Sequence, residues 1–126
     1  MAWTVEFDLA FATEVDQLPA KVADELRALA LLLQDSGPQL GRPWCDTLKA
    51  SKYSNMKELR FNADKGVWRV AFAFDPARKA ILLAAGDKKG TDQTKFYERL
   101  IRTADARITK HLEALKATEN RQGRDK

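Results

Sequence analysis

The chain has 126 residues, enough for one compact domain with its own core and too few for two. Hydrophobic residues make up 44% and charged residues 32%, which excludes a disordered or low-complexity chain. The net charge of +4 is unevenly placed. Residues 1–36 hold two basic and seven acidic side chains, and residues 37–126 the other 20 basic and 11 acidic ones, an asymmetry that points to an anionic partner for the second part.

At the N-terminus, "MAWTVEFDLA" has no basic region of the kind that opens a signal peptide, so no leader is expected. Trp3, Val5 and Phe7 alternate with Ala2, Thr4 and Glu6, the pattern of a half-buried strand over 2–7. Asp8 is suited to cap a short helix over 9–17, and Pro19 to the first turn of a second helix reaching about Gln34. Val22, Leu26, Leu29 and Leu33 share one face of that helix, and Gly37-Pro38 stops it. The longest apolar run, Ala28–Leu33, has six residues and cannot span a membrane. Residues 38–54 are turn-rich and read as a loop with at most a short helical turn. The single cysteine, Cys45, allows no internal disulfide and fits a reducing cytoplasm.

Three strands follow, over about 55–61, 67–74 and 79–85. The first two are joined by a connection of about five residues in which Gly66 takes positive φ, and the last two by the turn Asp75-Pro76-Ala77-Arg78. A polar loop, Gly86–Asp92, leads to a last helix over 93–117, and the tail 118–126 is read as a disordered basic end. The expected fold is α+β, one domain over 1–117 in the order β-α-α-β-β-β-α. It has an antiparallel meander, two N-terminal helices on one sheet face and a C-terminal helix, with the other face partly open.

Alternation assigns the faces of the meander. Leu59, Phe61, Trp68, Val70, Phe72 and Phe74 point toward the helix-packed core, with Lys57 on the same side near the start of its strand. Met56, Glu58, Arg60, Val67, Arg69, Ala71 and Ala73 point the other way, and small alanines there leave a hollow that arginines line. A solvated Glu–Arg pair across strands would account for Glu58 and Arg60. Arg69 lacks such a local reason, and its fork suits phosphate.

The order of elements, with "MKELRF", "WRVAFAFDP", "ILLAAGDKKG" and "FYERLIRTADARITKHL" in succession, resembles the RelE/HigB superfamily of bacterial toxins, in its phage-derived HigB-type branch. The likeness covers about residues 1–115. It implies the toxin of a toxin–antitoxin module: an endoribonuclease that cuts mRNA in the ribosomal A site beside 16S rRNA and uses no metal or cofactor. It also implies a cognate antitoxin, often a helix-turn-helix protein, in a complex that includes a heterotetramer among its forms. No membrane is involved, and the setting is cytoplasmic.

Metal-independent RNA cleavage must deprotonate the 2′-OH, stabilise charge on the phosphoryl oxygens and protonate the leaving 5′-oxygen. His111, the one histidine, lies deep in the last helix and is read as structural, so lysine, arginine and tyrosine must carry the work. Carried over from the resemblance, Arg69 occupies the phosphate-stabilising position, and Lys88 and Lys89, which sequence does not separate, the second cationic one. Tyr97 lies near a stacking or proton-transferring tyrosine, with helix packing as its other reading, and Lys57 and Lys52 stand for the lysines around strand two. Glu58 either orients an arginine or acts as acid or base. Arg60, Lys49, Lys52 and Tyr53 are assigned to hold RNA, with Trp44 and Tyr97 as further stacking candidates. Cys45 is read as inert. The long last helix, and a loop "GDKKGTDQTKFY" longer than the tightest in the family, depart from the pattern. A gyrase-poisoning toxin of the ParE type and a non-catalytic RNA-binding module are the alternatives on the same scaffold.

Overall fold

A computed structural model of the chain describes residues 2–124, with side chains as far as Asn120. The order is β1 (Thr4–Phe7), α1 (Leu9–Val15), α2 (Ala20–Ser36), β2 (Cys45–Thr47), β3 (Met56–Ala63), β4 (Gly66–Phe74), β5 (Lys79–Asp87) and α3 (Gln93–Arg124). A single 3-10 turn over Gly37–Gln39 follows α2. The strands form one five-stranded sheet in the order β1-β5-β4-β3-β2, with β1 parallel to β5 and the other neighbours antiparallel.

Each start and stop has a local cause. Asp8 caps α1 by accepting the Phe11 N–H at 3.1 Å. Gly37 ends α2 at φ +58°, and a Cβ there would come within 2.3 Å of the Trp3 indole, so only glycine fits. Asp92 caps α3 by accepting the Lys95 N–H at 3.1 Å.

Four expectations are corrected. The 38–54 segment is not all loop: Cys45–Thr47 add an edge strand on β3, invisible to periodicity because three residues make too short a pattern. The β3–β4 connection has two residues rather than five. Asp64 (φ 48°) and Lys65 (φ 65°), not Gly66, take the positive angles that such a tight hairpin requires. The helix does not stop at 117 but continues to Arg124, so the tail read as disordered from 118 is helical as far as it is described; residues 125 and 126 lie outside the described residues.

The fourth correction matters most for function. The sheet is covered on both faces. On one side α1 and α2 bury Phe11, Val22, Leu26, Leu29 and Leu33 against Leu59, Phe61, Val70, Phe72 and Leu82. On the other, α3 sets Phe96, Leu100, Ile101, Ala104 and Ile108 on Met56, Ala71, Ala73, Ile81 and Leu83. The alanines do not leave an open hollow. They are the seat on which a helix backbone can lie close to the sheet. Among the described residues no helix is long and apolar enough to cross a membrane.

Polar contacts fasten α3 along its length. Asp105 accepts the Ser51 hydroxyl at 2.5 Å and the Lys52 N–H at 3.2 Å, Tyr53 hydrogen-bonds Thr109, and His111 Nε2 lies 2.7 Å from the Asp75 carboxylate. His111 is therefore structural, as its place in the helix suggests.

Because Ala71 is fully buried beneath α3, Ala71→Leu is expected to cost about 1–3 kcal/mol by overpacking. Denaturant unfolding measures this. An open face would have tolerated the change.

Candidate active site

The floor of the site is set by strand register. Glu58 on β3 pairs with Ala71 on β4, and Arg60 with Arg69, so Glu58 and Arg69 are diagonal neighbours on the α3 face. Both are almost out of water, 5% and 6% exposed. Arg69 Nε lies 3.6 Å from Glu58 Oε1, and its Nη1 donates to the Trp68 carbonyl at 2.9 Å. Among the described residues, Arg69 Nε is the buried side-chain polar atom left with no hydrogen-bond partner.

The first turns of α3 supply the next layer. Gly86 lets them press onto β5, since a Cβ there would meet the Phe96 ring at 2.8 Å. Tyr97, beside Phe96, then reaches down and donates its hydroxyl to Glu58 Oε1 at 2.8 Å. The β5–α3 loop brings Lys88, whose Nζ stands 5.9 Å from the Tyr97 ring centroid. Its backbone is pinned: the Lys88 N–H donates to the Val67 carbonyl at 2.8 Å, and its carbonyl accepts the Thr91 hydroxyl at 2.7 Å. On the rim, Arg60 pairs with Asp46 at 3.4 Å, and Asp46 also holds Arg42 at 2.6 Å.

The electrostatics follow from burial. Desolvation pushes the Glu58 carboxyl above its ordinary 4.5, outweighing the Tyr97 hydrogen bond and the attraction of Arg69 and Arg60. Desolvation also lowers Lys88 from its ordinary 10.5, helped by repulsion from Arg69 and Arg60. The Tyr97 phenol is raised, first by burial and then by its bond to Glu58. Three cations thus converge on one carboxylate, and a carboxyl and an ammonium have pKa values moved toward each other. Such a set can hold a phosphate and pass protons on either side of it.

Of the residues singled out in the sequence, Glu58, Arg60, Arg69, Lys88 and Tyr97 come together. The others do not. Lys57 lies on the opposite sheet face, close enough to Cys45 to act on its charge. Lys89 is separated from Lys88 at last: its Nζ donates to the Lys65 carbonyl at 2.9 Å, away from Glu58. Lys52 and Tyr53 sit beside Asp105 and Thr109, roughly 12–18 Å along α3 from Tyr97. Tyr53 is partly buried there and hydrogen-bonded, so it is not free to stack a base as expected. Lys49 is exposed in the β2–β3 connection, away from these contacts. Trp44 is 46% exposed, and its carbonyl accepts the Arg60 N–H at 2.8 Å, a loop anchor at the rim. Cys45 is buried, and desolvation first of all pushes its thiol up to about 11, in keeping with an inert cysteine. Asp46 was missed, and no periodic signal announces it, because its place opposite Glu58 exists only once β2 pairs with β3.

The profile of the phage-derived Gp49-like protein family matches residues 13–109. The candidate toxin HigB2 of Mycobacterium tuberculosis is 37% identical over 120 residues, 94% of this chain and 59% of that protein. The candidate toxin HigB3 of the same organism is 50% identical over 76 residues, 60% of this chain and 64% of that protein. The chain thus spans less than two thirds of the length of each of these curated relatives. A free-state double arginine-to-alanine mutant of E. coli toxin RelE superposes with a TM-score of 0.51 over 80% of this chain and 95% of that one, at 13% identity, a likeness of fold. The chain belongs to the phage-derived Gp49-like family, a RelE/HigB-type fold.

Proposed function

We propose that this protein is the toxin of a toxin–antitoxin pair, and that it cleaves mRNA without a metal. The observation that carries the reading is the convergence of Arg69, Lys88 and Arg60 on Glu58 and Tyr97. The toxin names of HigB2, HigB3 and RelE support it.

In the proposed reaction Glu58 takes the proton of the 2′-OH, and its pKa, raised by burial, makes its carboxylate a stronger base than an ordinary one. The freed 2′-oxygen attacks the adjacent phosphorus and the bond to the 5′-oxygen breaks. Arg69, its guanidinium held beside Glu58, stabilises the non-bridging oxygens by its charge as negative charge builds on them. Lys88, a stronger acid than an ordinary lysine, gives its proton to the leaving oxygen. The products are a 2′,3′-cyclic phosphate and a 5′-hydroxyl. Tyr97 holds the carboxylate in place, and Arg60 steadies a neighbouring phosphate at the rim. The substrate is mRNA in the ribosomal A site, beside 16S rRNA in the cytoplasm, and the inhibitor is a cognate helix-turn-helix antitoxin.

Induction of the wild-type chain is expected to arrest growth and cut mRNA, and Lys88→Ala to lower cleavage by about 10²–10³-fold while the fold persists by circular dichroism. Equal toxicity and equal cleavage in the variant would place the chemistry elsewhere. Arrest with intact mRNA and a DNA-damage response would point to a gyrase poison instead.

The pH dependence has a definite sign. Cleavage is expected to rise with pH as Glu58 ionises above its ordinary 4.5, and to fall as Lys88 deprotonates below its ordinary 10.5. Single-turnover cleavage of a bound mRNA over a pH series measures both limbs. Glu58→Gln should remove the acid limb along with most of the rate.

A further inference from the structure

The arrangement of β5 contains one residue too many. Phe72 on β4 pairs with Leu82, yet its neighbour Ala71 pairs with Ala84, so Leu83 is an extra residue in a bulge. Leu83 and Ala84 both turn toward α3, while Leu82 and Ala85 turn toward α1 and α2. Beyond the bulge Arg69 pairs with Gly86, and the Lys88 N–H reaches the Val67 carbonyl, which puts Lys88 on the face of Arg69. Without the bulge the regular count would pair Ala71 with Leu83, Arg69 with Ala85 and Val67 with Asp87. Asp87 would then face Glu58, and Lys88 would face away, because a one-residue slip reverses every side chain.

An extra strand residue leaves its carbonyl outside the ladder. Arg107 of α3 meets that need: its Nη1 donates to the Leu83 carbonyl at 2.7 Å. The same guanidinium grips Glu14 of α1 through two hydrogen bonds, 2.8 and 2.6 Å, and lies 3.7 Å from the α1-capping Asp8. Arginine's planar fork suits it to hold a carboxylate and a carbonyl at once in fixed directions; lysine's single ammonium centre lacks that reach and geometry.

We propose that Arg107 is a positioning residue for Lys88: by holding the Leu83 carbonyl it keeps the bulge, and so fixes the register that turns Lys88 rather than Asp87 toward Glu58 and Arg69. The catalytic consequence rests on the nuclease reading above; the register itself does not.

The test uses the full chain and two readouts. In Arg107→Lys, the backbone contacts between Val67 and Lys88 and the side-chain contacts between Lys88 and Tyr97, read by nuclear Overhauser effects, should be lost while α3 persists. RNA cleavage should fall on the order of 100-fold, as for a misplaced catalytic group. Glu14→Gln, which leaves the carbonyl bond to Arg107, should keep both register and rate. Deleting Leu83 removes the bulge yet leaves Ala84 opposite Ala71. In that background Arg107→Lys should change the contacts of Lys88 no further, and this arm decides the matter if Arg107→Lys alone fails to fold. Unchanged Lys88–Tyr97 contacts in Arg107→Lys would overturn the proposal, whatever the rate. If the wild type cuts no RNA, the nuclease reading fails and the contacts still decide the role of Arg107.

Discussion

A carboxylate and a guanidinium held under a helix, almost out of water, are the constraint around which this protein is arranged. Glu58 and Arg69 cannot be buried singly, because an isolated ion in a low-dielectric interior is far too costly. They are buried as a diagonal pair, and Tyr97 donates to the same carboxylate oxygen. One polar atom of the arginine stays without a partner. Burial that incomplete contributes little to stability.

The rest of the fold serves that burial. Alanines at 71 and 73 let α3 lie close to the sheet, and Gly86 lets its first turns come closer still. The helix is then tied down by Asp105, Thr109 and His111. Several groups that looked free for RNA in the sequence are committed to that tying. The tyrosine at 53 is one, and Lys52, through its backbone N–H, is another. The site stays at the start of the helix, where the β5–α3 loop and the sheet rim meet.

Charge alone did not say which lysine belongs there. Lys57, Lys88 and Lys89 are all lysines, and Lys88 and Lys89 are adjacent in the chain. Pairing register decides among them: Lys57 falls on the opposite face, Lys89 bonds to the hairpin carbonyl of Lys65, and Lys88 is turned inward by one extra residue, Leu83, earlier in β5. A side chain's role here is set by a count of residues between hydrogen bonds.

The sequence by itself determined four of the five strands and the three helices, because periods of two and of three to four are local and survive in a one-dimensional reading. It placed Arg69 and Glu58 on one face for the same reason, and the likeness to a toxin family was legible in the order of its motifs. What only the tertiary structure decided were things no local period encodes. These are the three-residue strand that brings Asp46 opposite Glu58, the bulge that phases Lys88, and the closure of the alanine face by a helix from a later part of the chain. Those depend on which distant surfaces exclude water together, and that is settled only when the chain has folded.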